Sequence, residues 1–226
     1  MAVRLGLTLL VLLAMALAAG WVVTRAEDAA AFRRADLALV RGLAASRTKA
    51  LDGLSGAVAE LGNTLLVVVV AVLAAGIFAL VQRRWRPVVI FAVMLVGEVA
   101  IFLTTAALID RRRPPVPHLD AQLPPTSSFP SGHTAAAVCL YGGIAVLVLA
   151  AIRAWWRWLV VLLAMTIVVA VALARLYRGA HYPTDVLGSL LFAVPWLLVV
   201  RRHLLTESSP TNLRADAGPT AHRTAQ

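Results

Sequence analysis

The sequence predicts an all-α integral membrane protein built as a bundle of six transmembrane helices. Of its 226 residues, 61% are apolar, whereas soluble domains are typically about 45–50% apolar. The apolar residues gather in six runs, each near the roughly 20 residues that a helix needs to cross a bilayer. A helix is expected in each run, because a lone strand would leave backbone groups unpaired in lipid.

The predicted spans are approximately Leu5–Val23, Thr64–Val81, Val88–Ile109, His133–Ala151, Trp158–Ala174 and Asp185–Val200. The first run also resembles a signal peptide with a cleavage site near Ala18, but its apolar length exceeds the usual core of about 7–15 residues and favours a retained helix. We expect one membrane domain over residues 1–203 and a disordered, polar cytoplasmic tail over 204–226.

The net charge of +10 does not indicate nucleic-acid binding, because the arginines cluster at the ends of the apolar runs. Four such clusters fall on one side of the membrane if six helices alternate, and the positive-inside rule makes that side cytoplasmic. These clusters are Arg4, Arg83/Arg84/Arg86, Arg153/Arg157 and Arg201/Arg202. We therefore expect a multi-pass protein of the inner (plasma) membrane.

Segment 24–62 then lies outside and is nearly neutral, with six basic and five acidic residues. Its apolar spacing predicts an amphipathic helix on the membrane surface, and an external linker is the alternative.

Arg111, Arg112 and Arg113 lie in the external loop 110–132, where the positive-inside rule does not predict a cluster of arginines. A bound phosphate would explain them.

The external segments carry residue types that suit phosphate chemistry. A guanidinium group presents a planar fork that matches phosphate oxygens. Ser131, Gly132 and His133 stand where a helix is predicted to begin, so unpaired backbone N–H groups can point at an anion. His181 and Asp185 are four residues apart, which allows their side chains to face each other across one helical turn.

These segments resemble the signature of the type 2 phosphatidic acid phosphatase (PAP2) superfamily, which includes lipid phosphate phosphatases, bacterial acid phosphatases and vanadium haloperoxidases. The family pattern is K-x6-R-P, then P-S-G-H, then S-R-x5-H-x3-D. Arg113-Pro114 matches the first motif in part, and Pro130–His133 matches the second completely. Arg175, His181 and Asp185 match the third. The resemblance implies a six-helix bundle of the PAP2/haloperoxidase type.

Two positions depart from the family pattern. The family lysine falls at Ala106, and the serine before Arg175 is Ala174. The lysine normally brings positive charge to the phosphate. Arg111 or Arg112 is the expected substitute, and an altered substrate preference is the other interpretation.

The resemblance implies that neutral His181 attacks phosphorus to form a phosphohistidine, which splits one difficult displacement into two. Asp185 would orient the imidazole and stabilise its positive charge, and His133 would act as general acid and then base. The expected phosphate ligands are Arg113, Arg175, Ser131, Gly132 and Arg111. No metal and no cofactor are expected, because arginines take the place of metal cations.

The expected partners are the bilayer and a lipid phosphate or pyrophosphate; nucleic acid is not expected, and the oligomeric state stays open. Within the same fold, phosphotransfer to a lipid or sugar hydroxyl is an alternative. A second alternative is a non-catalytic lipid-binding protein with a degenerate site. Glu98 is either functional or merely protonated within its helix. His118 and Asp120 either touch a headgroup or belong to a solvated loop.

Overall fold

The computed structural model describes residues 2–25, 30–120, 123 and 127–206. Over these residues the chain forms eight α-helices and no strand. The helices are α1 (Ala2–Arg25), α2 (Ala30–Ala45), α3 (Lys49–Glu60), α4 (Thr64–Gln82), α5 (Arg86–Leu108), α6 (Gly132–Ala151), α7 (Arg157–Tyr177) and α8 (Pro183–Thr206). All but α2 and α3 are long and apolar enough to cross a membrane. The predicted fold class is confirmed, and the chain is a multi-pass membrane protein.

Polar side chains cap the starts of α3 and α4. The side chain of Asn63 accepts a hydrogen bond from the backbone N–H of Leu65, so it caps the start of α4. The same helix ends at Arg83, whose backbone is left-handed with φ of 51°. At the other end of the chain, α8 continues to Thr206, beyond the predicted start of the tail. The rest of that predicted tail, 207–226, lies outside the described residues.

Helix α6 forms the centre of the bundle, with buried residues along almost its whole length. It packs against α4, α5, α7 and α8. Small residues bring the neighbouring helices close, as is common between membrane helices. At Gly97 of α5, for example, an added Cβ would lie 2.2 Å from the ring of Trp196 on α8. The indole Nε1–H of Trp196 donates to the carbonyl of Met94 at 2.9 Å, which fixes α8 against α5.

The external segment predicted as one amphipathic helix or a linker contains two helices, α2 and α3. Helix α3 packs against α7, and α2 packs against α7 and α8. Arg47, between them, donates to the carbonyls of Tyr177 and Pro117, each at 2.7 Å. The phenol of Tyr141 on α6 donates to the carbonyl of Leu61 at 2.9 Å. The segment is therefore bound to the end of the bundle where the chemistry-bearing loops lie.

Candidate active site

The three external segments predicted to carry chemistry meet at one end of the bundle, around a cavity of about 350 Å³. Four side chains from three chain segments line it together: Arg113, His133, Arg175 and His181. The deeper wall is formed mainly by apolar side chains of α4 and α5. The structure thus gathers these four residues, which are up to 68 positions apart in the sequence, into one space.

The imidazole of His181 is held in one tautomer by the backbone. Its Nδ1 lies 2.6 Å from the carbonyl oxygen of Ser128. A carbonyl oxygen only accepts hydrogen bonds, so Nδ1 must carry a proton when this bond forms. In the neutral ring the lone pair is then on Nε2, which is the nitrogen available for attack.

The surroundings of His181 keep this ring neutral. Its side chain is buried, and that burial lowers the pKa of the imidazole below its ordinary value. The charges of Arg175 and Arg113 lower the pKa further, while Asp185 acts in the opposite direction. The Asp185 carboxylate lies 3.6 Å from Nδ1, farther than the Ser128 carbonyl. The Ser128 carbonyl therefore fixes the tautomer of His181, a role that the sequence led us to expect for Asp185. The Asp185 carboxylate supplies negative charge near the ring.

Asp185 is fully buried and uses both of its oxygens. Its Oδ2 accepts the backbone N–H of Tyr182 at 2.8 Å, just before α8 begins. Its Oδ1 accepts a short hydrogen bond from Nη1 of Arg111. Pro183 at the start of α8 has no backbone N–H and therefore needs no acceptor there, so the proline and the carboxylate together fix the first turn.

Arg111 lies behind Asp185 rather than on the cavity wall. Besides Asp185, its guanidinium donates to Asp36 of α2 and to the hydroxyl of Thr184, each at 2.7 Å. It also stacks over the ring of Tyr182, 4.3 Å from the ring centre. Asp36 was not singled out by the sequence, because nothing local distinguishes it from other charges of an amphipathic helix. What distinguishes Asp36 is its burial, and burial is a property of the folded protein that the local sequence does not show.

Arg175 belongs to a second ionic cluster, which does not include Asp185 or Arg111. Its Nη1 donates to Asp120 at 2.8 Å, and the Nε of Arg178 donates to the other oxygen of that carboxylate at 2.5 Å. Burial raises the pKa of Asp120, but the two arginines outweigh it and hold that pKa below its ordinary value. The Nε of Arg175 is buried and has no hydrogen-bond partner among the described residues.

The family model of the PAP2 superfamily matches residues 60–208, about two thirds of the chain. The chain belongs to the PAP2 superfamily. Its fold is also similar to the crystal structure of the first transmembrane PAP2 type phosphatidylglycerolphosphate phosphatase from Bacillus subtilis. The TM-score is 0.72 at 24% identity, over 88% of this chain and 93% of that one. No curated protein sequence matches the chain.

The four residues of the PAP2 motif Pro130–His133 differ in whether they line the cavity. Pro130, Gly132 and His133 line the cavity. Ser131 is buried, with its hydroxyl 3.0 Å from that of Thr134 and its N–H donated to the carbonyl of Asp185 at 3.3 Å. Gly132 begins α6, and a Cβ there would lie 2.8 Å from the ring of Phe102. The backbone N–H groups of Gly132, His133 and Thr134 precede the first intrahelical bond, which Ala135 donates to the carbonyl of Ser131.

Arg113, the arginine of the first PAP2 motif, reaches the cavity from loop 109–131. Its Nη1 donates to the carbonyl of Ala180 at 2.8 Å, which ties this loop to the residue before His181. Burial and the charge of Arg175 lower the pKa of the Arg113 guanidinium. Two arginines close enough to repel each other indicate a site suited to an anion.

Of the remaining predicted positions, only Glu98 lines the cavity among the residues that the structure describes. Ala106, at the position of the PAP2 lysine, is buried in α5, and Arg112 is exposed. His118 is exposed in the loop, its Nε2 3.1 Å from the carbonyl of Pro114. Glu98, buried in α5, lines the deep part of the cavity. Among the described residues, no group of His, Cys, Asp and Glu could hold a metal ion.

One residue that supports the site, Gly62, was not predicted from the sequence. Gly62, in the turn between α3 and α4, packs against His133. A Cβ at Gly62 would lie 2.7 Å from the carbonyl oxygen of His133 and 2.9 Å from its Cβ. Only glycine fits this close approach, and neither the PAP2 motifs nor local patterning marks it.

Proposed function

We propose that the protein hydrolyses the phosphate monoester or pyrophosphate of a membrane lipid through a phosphohistidine at His181. Its membership of a phosphatase superfamily supports the general activity. The observation that carries the specific proposal is the composition of the cavity. Two histidines and two arginines lie at its outer end, and its deeper wall is apolar. A lipid phosphate has the same division into an anionic head and an apolar tail.

The cavity also reaches the lipid-facing surface of the bundle. Val68 of α4 and Val99 and Leu103 of α5 all line it, and they remain 47%, 41% and 57% exposed, respectively. In a bilayer these residues contact acyl chains. A lipid in the membrane plane can therefore place its phosphate among the arginines while its tail stays in an apolar environment.

In the first step, Nε2 of His181 attacks phosphorus. The bond from phosphorus to the lipid oxygen breaks, and His133 donates a proton to that oxygen. The Nδ1 proton of His181 continues to bond the carbonyl of Ser128, so the phosphorylated ring carries a positive charge. Asp185 stabilises this charge, while Arg113 and Arg175 bind the phosphoryl oxygens.

In the second step, water attacks the phosphohistidine. His133, now without its proton, accepts a proton from this water. The bond from phosphorus to Nε2 breaks, and inorganic phosphate leaves. We propose that both steps run without a metal, because arginines supply the positive charge; activity should survive EDTA and be blocked by vanadate. A loss of activity in EDTA that added metal restores would contradict this scheme.

We further propose that the site faces the exterior, or the periplasm in a cell with two membranes. The Arg83/Arg84 turn between α4 and α5 lies at the end of the bundle opposite the site, as does the turn between α6 and α7. The positive-inside rule places these turns in the cytoplasm. Labelling of a single cysteine introduced at exposed Arg112 by an impermeant reagent in intact cells tests this orientation.

The deciding experiment is phosphate release from a panel of lipids by the purified protein. The panel contains phosphatidic acid, phosphatidylglycerol phosphate and a polyprenyl pyrophosphate. We expect His181→Ala to lower turnover by at least ~10³-fold, since it removes the nucleophile. His118→Ala is the matched control, because His118 lies on the same face but outside the cavity.

The same experiment separates the rival functions. A phosphorylated lipid or sugar as the product would indicate phosphotransfer rather than hydrolysis. Equal, background rates for the wild type and His181→Ala on every lipid would favour a non-catalytic lipid-binding protein. Retained activity in His181→Ala alone would place the nucleophile elsewhere.

A further inference from the structure

Glu98 is a buried acidic residue that the two proposed chemical steps do not use. It lies near the middle of α5, and its side chain is only 2% exposed. It lines the same cavity as the two histidines of the proposed mechanism. Its carboxyl group makes no hydrogen bond or ion pair with any residue that the structure describes. Buried polar groups in proteins normally have a partner, so a carboxyl group at a cavity wall suits a partner that enters the cavity.

Glu98 lies deeper in the cavity than the residues that would bind phosphate. The ring of Phe102, four residues later on α5, packs against Gly132 at the start of α6. Four residues of an α-helix span about 6 Å, so Glu98 is about one turn farther from that helix start than Phe102. Of the five described α5 residues that line the cavity, only Glu98 is polar. It is therefore an isolated polar group on an apolar wall.

These surroundings limit the kind of partner that Glu98 can bind. A lone carboxylate charge is costly among apolar side chains, which favours the protonated group. A protonated carboxyl group donates one hydrogen bond, and an ester carbonyl oxygen accepts one. In a glycerolipid the ester carbonyls follow the phosphate after a few bonds, at the start of the acyl chains. A polyprenyl chain has no polar group at that place.

We propose that Glu98 donates a hydrogen bond to an ester carbonyl of a glycerolipid phosphate and so selects glycerolipids over polyprenyl pyrophosphates. This role rests on the part of the proposed function in which a lipid phosphate binds at Arg113 and Arg175. The phosphate end of the lipid then lies at the outer end of the cavity, and its ester groups lie beside α5. Glu98 contacts neither phosphorus nor the leaving oxygen, so it determines specificity and takes no part in the chemical steps.

The first test compares phosphatidic acid with its ether-linked analogue, which lacks both ester carbonyls. We expect the kcat/KM of the wild type to favour the ester lipid by about fivefold, as for the loss of one hydrogen bond. Glu98→Leu should lower kcat/KM for the ester lipid by about the same factor and leave the value for the ether lipid nearly unchanged. Glu98→Gln keeps an N–H donor and should retain the preference. An equal kcat/KM for both lipids in the wild type, or an undiminished preference in Glu98→Leu, would overturn the proposal.

The matched control is Thr105→Val on the same helix. Thr105 is buried, its hydroxyl has no hydrogen-bond partner among the described residues, and it does not line the cavity. Its substitution therefore also removes an unpartnered polar group from α5, and it should keep the full ester preference. The melting temperature should not fall in this variant or in Glu98→Leu, because neither loses a protein hydrogen bond. Loss of the preference in Thr105→Val would show a general effect of packing in α5 and would contradict a specific role for Glu98.

A binding experiment separates this role from the proposed hydrolysis. Radiolabelled ester and ether lipids are titrated into detergent-solubilised His181→Ala protein, in which binding is measured without turnover. We expect the ester lipid to bind about fivefold more tightly, and the further change Glu98→Leu to remove the difference. Equal binding of the two lipids would refute the role of Glu98, even if the wild type releases phosphate. Ester-selective binding that depends on Glu98, without phosphate release from any lipid by the wild type, would support this role and refute hydrolysis alone.

Discussion

Two ionic clusters lie beside the catalytic cavity, one buried and one partly exposed, and their charges are opposite. In the Asp185 cluster, one arginine, Arg111, lies between two carboxylates, those of Asp36 and Asp185. In the Asp120 cluster, one carboxylate lies between two arginines, Arg175 and Arg178. Formally, the first cluster carries one net negative charge and the second carries one net positive charge.

This difference matches what each side of the cavity must do. A negative cluster beside His181 favours the imidazolium that forms when its Nε2 bonds to phosphorus. A positive cluster around Arg175 favours the phosphate itself. The sequence placed Arg111 and Arg175 together as phosphate ligands, but the structure gives Arg111 two protein carboxylates instead. We therefore propose that Arg111 and Asp36 act by positioning Asp185.

The same substitution in the two clusters should have opposite effects, and the larger is at Asp185. Asp185→Asn removes the charge that stabilises the phosphorylated imidazole and leaves Arg111 partly unpaired. We expect kcat on the lipid substrate to fall by about 10²–10³-fold, as when other oriented transition-state partners are removed. Steady-state kinetics on the best lipid of the panel measure this. A fall of less than about threefold would show that the Ser128 carbonyl alone suffices.

An intermediate effect is expected at Asp36. Asp36→Asn lowers the negative charge near His181 without touching the cavity, so kcat should fall about tenfold while KM stays unchanged. The loss of negative charge also disfavours protonated His181 and lowers its pKa further. The acidic limb of the kcat/KM profile should therefore move to lower pH. A lowered melting temperature with normal kcat and an unmoved limb would mean that Asp36 is only structural.

The smallest effect is expected at Asp120, and it has the opposite sign. Asp120→Asn removes the carboxylate that competes with phosphate for Arg175. We expect vanadate or phosphate to inhibit about threefold more tightly, a modest gain because Asp120 is partly exposed and screened. Inhibition constants at fixed ionic strength provide the measurement. Weaker inhibition would instead show that Asp120 holds Arg175 in its binding geometry.

Much of the fold followed from local sequence features. The six spans were found because apolar runs near 20 residues have few stable conformations in lipid other than a helix. Their ends differed by a few residues, since helices extend until a cap or a loop ends them. The external segment 24–62 was the weakest prediction. Its two helices depend on contacts with α7 and α8 that no local pattern encodes.

The site divides in a similar way. The sequence by itself determined which residue types could do the chemistry, because the spacing of Arg175, His181 and Asp185 is a property of one short segment. The tertiary structure alone decided which partner each residue meets: Ser128 for His181, and Asp36 for Arg111. Those pairs are 53 and 75 positions apart. Their contacts exist only when the bundle packs, because each buried polar or charged group requires a partner, and here that partner comes from a distant helix or loop.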